Sequence, residues 1–140
     1  MMSAIKNIML AMVAVAVARA QSGADGQFKV GGQVAKLTQA YAYATEGFFH
    51  KKKDDTVLVP TDRKLAYVQE TINAAGQIVN FTLGHQGFKV APSGGSTEHR
   101  FEGKQGTTIS GKVFTNGVQE TFGTKYEYSA WFFAPIHPKK

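Results

Sequence analysis

His50, His85, His99 and His137 are the only imidazoles in the chain, and imidazole is both the side chain that titrates nearest neutral pH and a common metal ligand. No two of them stand two, three or four residues apart, so no strand or helix face carries a ligand pair. A metal site would need convergence in space with Asp54, Asp62 or Glu98. Glu98 and His99 are adjacent, and adjacent strand residues point to opposite faces, so they cannot chelate together in a regular strand. The pattern reads as four surface histidines, with no metal and no cofactor expected. Ser22, Ser93, Ser96, Ser110 and Ser129 lack the Gly-x-Ser-x-Gly elbow of a nucleophilic hydrolase. Ser93 and Ser96 flank Gly94-Gly95, which is more simply a turn. Asp54-Asp55 with Asp62 offer the carboxylates of a glycosidase pair, but Lys51-Lys52-Lys53 immediately before them make a self-neutralising, solvated loop. No glycine turn ends in the Gly-Lys-Ser/Thr of a phosphate loop. No catalytic residue is expected.

What remains is a surface. Tyr41, Tyr43, Phe48 and Phe49 lie beside Lys51, Lys52 and Lys53. Aromatic rings next to ammonium groups suit a peptide, a glycan or an anionic polymer. The competing reading puts the rings in the core, since a cysteine-free β domain draws on its 10 Phe, 5 Tyr and 1 Trp for packing. Asn80-Phe81-Thr82 matches a glycosylation sequon and is incidental in an expected strand.

The elements that position these residues follow from two-residue alternation. Gln21 to Gln27 is small and polar and reads as a frayed start. Phe28 and Val30 begin a strand, and Gly31-Gly32 marks a turn. Ala40-Tyr41-Ala42-Tyr43-Ala44 sends both tyrosines to one face and the alanines to the other. Thr56 to Val59 reads as a strand buried on both faces that Pro60 stops. Thr61 or Asp62 then offers a helix N-cap, Leu65, Val68 and Ile72 recur at i, i+3 and i+7, and Gly76 supplies a C-terminal stop. The spacing predicts one short amphipathic helix over Arg63 to Ala75. Beyond it, Val79, Phe81 and Leu83 share a face, Gly84 and Gly87 flank a tight turn, and Ile109, Gly111, Val113 and Thr115 share a side. Asn116-Gly117 is a turn dipeptide. Lys125 to Ala134 is the longest strand, with Tyr126, Tyr128, Ala130 and Phe132 on one face and Trp131 and Phe133 on the other, as expected of a central strand. Pro135 and Pro138 end it. The expected fold is mainly β, an antiparallel barrel or sandwich of about seven or eight strands with one short helix near 63–75.

The 140 residues allow one domain. Cysteine is absent, which removes disulfides, thiol nucleophiles and thiolate metal sites. Met1 to Lys6 carries one positive charge and precedes the apolar run Ile8 to Val17. That run suits a signal-peptide core and is too short for a bilayer, which needs about 20 residues. Ala18-Arg19-Ala20 supplies small residues where a signal peptidase reads, so residues 1–20 are expected to be a signal peptide cut between Ala20 and Gln21, and 21–140 a single β-rich domain. Losing Lys6 and Arg19 lowers the formal charge of +6 by two. The remaining excess is too mild for a nucleic-acid stripe and suits weak attraction to anionic envelope polymers.

Leu37-Thr38-x-Ala40-Tyr41-Ala42-Tyr43, Phe48-Phe49 with the Lys/Asp loop, Val57-Leu58-Val59-x-Thr61-Asp62 and the ending Phe122-Gly123-Thr124-x-Tyr126-x-Tyr128-x-Ala130-x-Phe132-x-Ala134-Pro135-Ile136 together resemble a group of exported bacterial β-rich proteins of unknown function, built of a leader peptide and one small β domain. The resemblance implies export and a single β domain, and no activity or site residue. The expected function is therefore an exported, soluble, non-enzymatic binding domain, periplasmic or secreted, with an envelope or extracellular partner (protein, glycan or anionic polymer), no nucleic acid and no transmembrane segment in the mature chain. The alternatives are a small hydrolase or hydrophobic-ligand carrier whose site forms only in the fold, and an envelope structural or assembly protein.

Overall fold

The computed structural model describes residues 22–47 and 53–138. The proposed leader and its cut at Ala20 and Gln21 lie outside the described residues, as do Phe48, Phe49, His50, Lys51 and Lys52. Eleven strands make one open mixed sheet. They are β1 (Gly23–Val30), β2 (Gln33–Leu37), β3 (Gln39–Thr45), β4 (Asp55–Thr61), β5 (Tyr67–Ile72), β6 (Ile78–Gly84), β7 (Ser93–Gly94), β8 (His99–Gln105), β9 (Thr108–Thr115), β10 (Gln119–Thr121) and β11 (Thr124–His137). The order is β2-β1-β11-β3-β4-β5-β6-β7, with β9 and β10 also on β11 and β8 on β9. The mainly β expectation holds, and the rest of it needs three corrections.

The first concerns the strands. There are eleven rather than seven or eight, because the segment 34–44 divides into β2 and β3, Tyr67–Ile72 is strand rather than helix, and Ser93–Gly94 and Gln119–Thr121 add two short strands; the polar start is not frayed but lengthens β1. Gly23 to Gln27 pairs with Phe133 to Ser129, whose aromatic-rich strand gives the small residues a partner. The second is direction. Most pairings are antiparallel, but β11 meets β3 in parallel through Ile136↔Ala42 and His137↔Tyr43. Pro135 does not end β11 but sits in register with Thr108. Pro60 likewise lies inside β4, opposite Ala40.

The third is the helix over 63–75, which does not form. Asp62 does behave as a cap, its Oδ1 accepting the N–H groups of Lys64, Leu65 and Ala66 at 2.7, 3.0 and 3.0 Å. The turn then closes on itself, with the Asp62 N–H donating to the Ala66 carbonyl at 3.1 Å, and Arg63 sits at φ 63°, outside helical space. From Tyr67 onward burial alternates, with Val68, Glu70 and Ile72 inward. β5 is hydrogen-bonded on both sides, to β4 and β6, and two ladders outweigh a marginal helix of three turns. Leu65, assigned to the helix's apolar face, is 57% exposed. No described helix is long and apolar enough to cross a membrane.

β11 is central as expected, flanked by β1, β9, β10 and β3. Its inward residues Tyr126, Tyr128, Ala130, Phe132 and Ala134 join Phe28, Val30, Leu37, Ala40, Leu58, Val68, Ile72, Leu83, Ile109 and Val113 in one core. Ala40 and Ala42 are buried and Tyr41 and Tyr43 exposed, so the alternation of β3 falls as read. The sheet curls over this core, since Glu70 of β5 touches Tyr128 of β11 although β3 and β4 stand between them in the sheet order.

Candidate functional site

The stretch singled out in sequence is placed outside the core where it is described. Tyr41 is 41% and Tyr43 44% exposed on the outer face of β3. Register puts Tyr41 opposite Val59 and Tyr43 opposite Val57 on β4. A shallow groove of about 390 Å³ runs over this face, lined by Tyr41, Val59, Thr61, Arg63, Tyr67 and Gln69. Alternation on three neighbouring strands brings two tyrosine rings, one guanidinium and one amide to one surface. Lys53 is exposed just before β4.

The histidines correct the surface expectation. His85 and His99 are buried, and only His137 of the three described is exposed. The His85 ring is fully used by the backbone. Its Nε2 meets the Phe28 carbonyl at 3.1 Å and its Nδ1 accepts the Gly87 N–H at 2.9 Å. The donor therefore sits on Nε2, the ring is neutral, and burial holds its pKa below the ordinary value. The ring locks the His85–Phe88 turn against Phe28, at 4.9 Å between centroids.

His99 enters a second cluster that sequence reasoning missed. Glu70, wholly buried, accepts a hydrogen bond on Oε2 from the Tyr128 hydroxyl. His99 Nδ1 lies 3.9 Å from the same oxygen, and His99 Nε2 meets the Tyr126 hydroxyl at 2.8 Å. Phe81 packs against the imidazole at a tilt, with ring centres 4.1 Å apart and planes at 50°. Among the described residues Glu70 Oε1 and His99 Nδ1 make no hydrogen bond. Burial pushes the Glu70 carboxyl up to about 8, against the smaller opposing effect of the Tyr128 bond. Burial pulls His99 down to about 4. Separating charge between them would put two ions in an apolar core at 3.9 Å without a hydrogen bond, so the pair is neutral at pH 7. Burial and the neighbouring Glu70 also raise both tyrosine hydroxyls. The cluster stores a proton. It is not a nucleophile–base pair, because both imidazole nitrogens face Tyr126 and Glu70 rather than a serine. No three His, Asp or Glu side chains converge as a metal-ligand set among the described residues. The available signal was Glu70 at the centre of the alternating file Val68, Glu70, Ile72, visible only once that segment is read as a strand.

A third surface also went unread. On the outer face of β9 and β11, the Lys112 ammonium lies 4.9 Å from the Phe114 ring centre and 5.8 Å from that of Trp131. Trp131 lies on the face opposite Tyr126, as the alternation predicts, but its neighbours depend on cross-strand register. No family model, curated protein or solved structure matches the chain.

Proposed function

We propose that the protein is an exported, soluble binding domain of the periplasm or cell exterior that takes an anionic envelope polymer on the outer face of β3 to β5. One observation carries this reading: Tyr41 and Tyr43 stand exposed on the strand that buries Ala40 and Ala42, and Tyr41 lines a groove that also holds Arg63. A water-facing tyrosine pair contributes little to the core. Rings with an adjacent guanidinium offer stacking and charge together to a ligand. The residual positive charge and exposed Lys53 favour a polyanion over an apolar guest. Within this reading the curled sheet is a barrel-like or sandwich-like scaffold whose interior is filled, so that ligand is taken outside. The resemblance to leader-bearing β-rich bacterial proteins supports the same location.

Calorimetric titration with polyglutamate, a plain polyanion, tests the reading. Tyr41→Ser/Tyr43→Ser and Arg63→Glu are each expected to weaken binding by about tenfold, the effect of removing one ring pair or one charge contact. Affinity is also expected to fall with added salt. Unchanged affinity in both variants would remove this face from the account.

A further inference from the structure

Trp131 projects from the middle of the widest part of the sheet and is 61% exposed. In register it stands between Asp25 of β1 and Lys112 of β9. Glu102 of β8 is opposite Lys112 in turn, yet among the described residues Lys112 forms no ion pair and instead lies over Phe114 and Trp131. A groove of about 280 Å³ lies on the same face and is lined mainly by polar side chains, Gln27, Lys29, Lys112, Glu127 and Ser129, with Phe114 at one side. Lys29 and Glu127 are 4.0 Å apart there and partly neutralise each other. Among the described residues Lys112 is left as the cation without an ion pair beside the ring.

This arrangement has the two parts that recognise a sugar acid. A broad exposed ring offers a flat apolar platform for the C–H face of a pyranose, and the flanking amide, hydroxyl and ammonium groups meet hydroxyls and a carboxylate. A protein partner would instead need a contiguous apolar patch, and the cross-strand neighbours of Trp131 are Asp25 and Lys112. We infer that the outer face of β1, β11 and β9 is a saccharide site, with a uronic-acid ring stacked on Trp131 and its carboxylate held by Lys112. This goes beyond the Tyr41–Tyr43 face. It uses different strands and stands or falls separately.

Trp131 is the only tryptophan of the chain, so its emission reports this face alone. Adding oligogalacturonate to the full protein is expected to shift the emission to the blue and to saturate. Lys112→Gln should weaken that response by about tenfold, since it removes the charge and keeps the side chain's reach. Maltooligosaccharide, the uncharged sugar, should give at least a tenfold weaker response, and polyglutamate, the charged non-sugar, none. Tyr41→Ser/Tyr43→Ser should leave the oligogalacturonate response intact while weakening polyglutamate binding about tenfold, which separates failure of this inference from failure of the proposed function. An unchanged emission would overturn the site, as would an equal response to polyglutamate. Equal responses to both sugars, or an unaltered Lys112→Gln titration, would overturn carboxylate recognition.

Discussion

Between pH 6.5 and pH 9 the protein is expected to lose on the order of 2 kcal/mol of unfolding free energy, and Glu70→Gln is expected to abolish most of that loss. The native carboxyl keeps its proton up to about pH 8 because burial penalises its ionised form. In the unfolded chain it releases the proton near pH 4.5. The native state therefore binds more protons across that window, and stability falls as pH rises toward the folded value, by about 1.4 kcal/mol for each pH unit. His99 acts with the opposite sign. Burial holds its folded value near 4, below the ordinary 6.5, so its contribution is complete above pH 6.5 and is lost as pH falls toward 4. From about 4.5 to 6.5 the two slopes cancel, which predicts a stability plateau at mildly acidic pH. Below it Asp62 adds to the acid loss. Partial burial raises its pKa, but the three backbone N–H groups it accepts outweigh this and lower it overall. Urea unfolding from pH 4 to 9 checks the profile. A flat alkaline limb in the unaltered protein would mean that Glu70 is ionised in the core.

The second large effect is expected at Gly111. It sits at φ 139° on β9, directly opposite Gly103 of β8. A Cβ added there would stand 2.6 Å from the Gly103 Cα, a backbone atom that cannot turn aside. Gly111→Ala should therefore cost about 3 kcal/mol or more, from backbone strain and forced separation of the two strands. β8 carries His99 inward, so the variant should also disturb the cluster and blunt the acid limb of the stability profile. Gly23→Ala is the control, because nothing lies within 4 Å of its added Cβ and its φ is unremarkable. It should fall within about 0.5 kcal/mol of the parent. Equal denaturation midpoints for the two variants would contradict the close approach of β8 and β9.

The parts of this structure legible in sequence are those set by local alternation. Ala40 to Ala44 divides its faces as its pattern says, and so do Ile109 to Thr115 and Tyr126 to Phe132. The segment 63–75 was not legible. Leu65, Val68 and Ile72 satisfy a helical period and Val68, Glu70 and Ile72 a strand period, while Asp62 caps the turn under either. Pairing with β4 and β6 breaks the tie, and that pairing is non-local. The same limit hid the parallel contact of β11 with β3. Glu70 was overlooked because a carboxylate is normally placed toward water. Nothing near it in sequence announces Tyr128, which lies 58 residues away. Trp131 and Lys112 were each visible, but their meeting depends on the β9–β11 register. Of the stretch 41–53, Tyr41, Tyr43 and Lys53 are on the surface as the binding reading requires.

The most direct measurement is a map of backbone amide shifts in the isotope-labelled protein titrated with polyglutamate. Saturable, salt-sensitive changes centred on Tyr41, Tyr43, Arg63 and Tyr67 are expected. Changes confined to the amides around His99, Tyr126 and Tyr128, or none at any concentration, would contradict binding on this face.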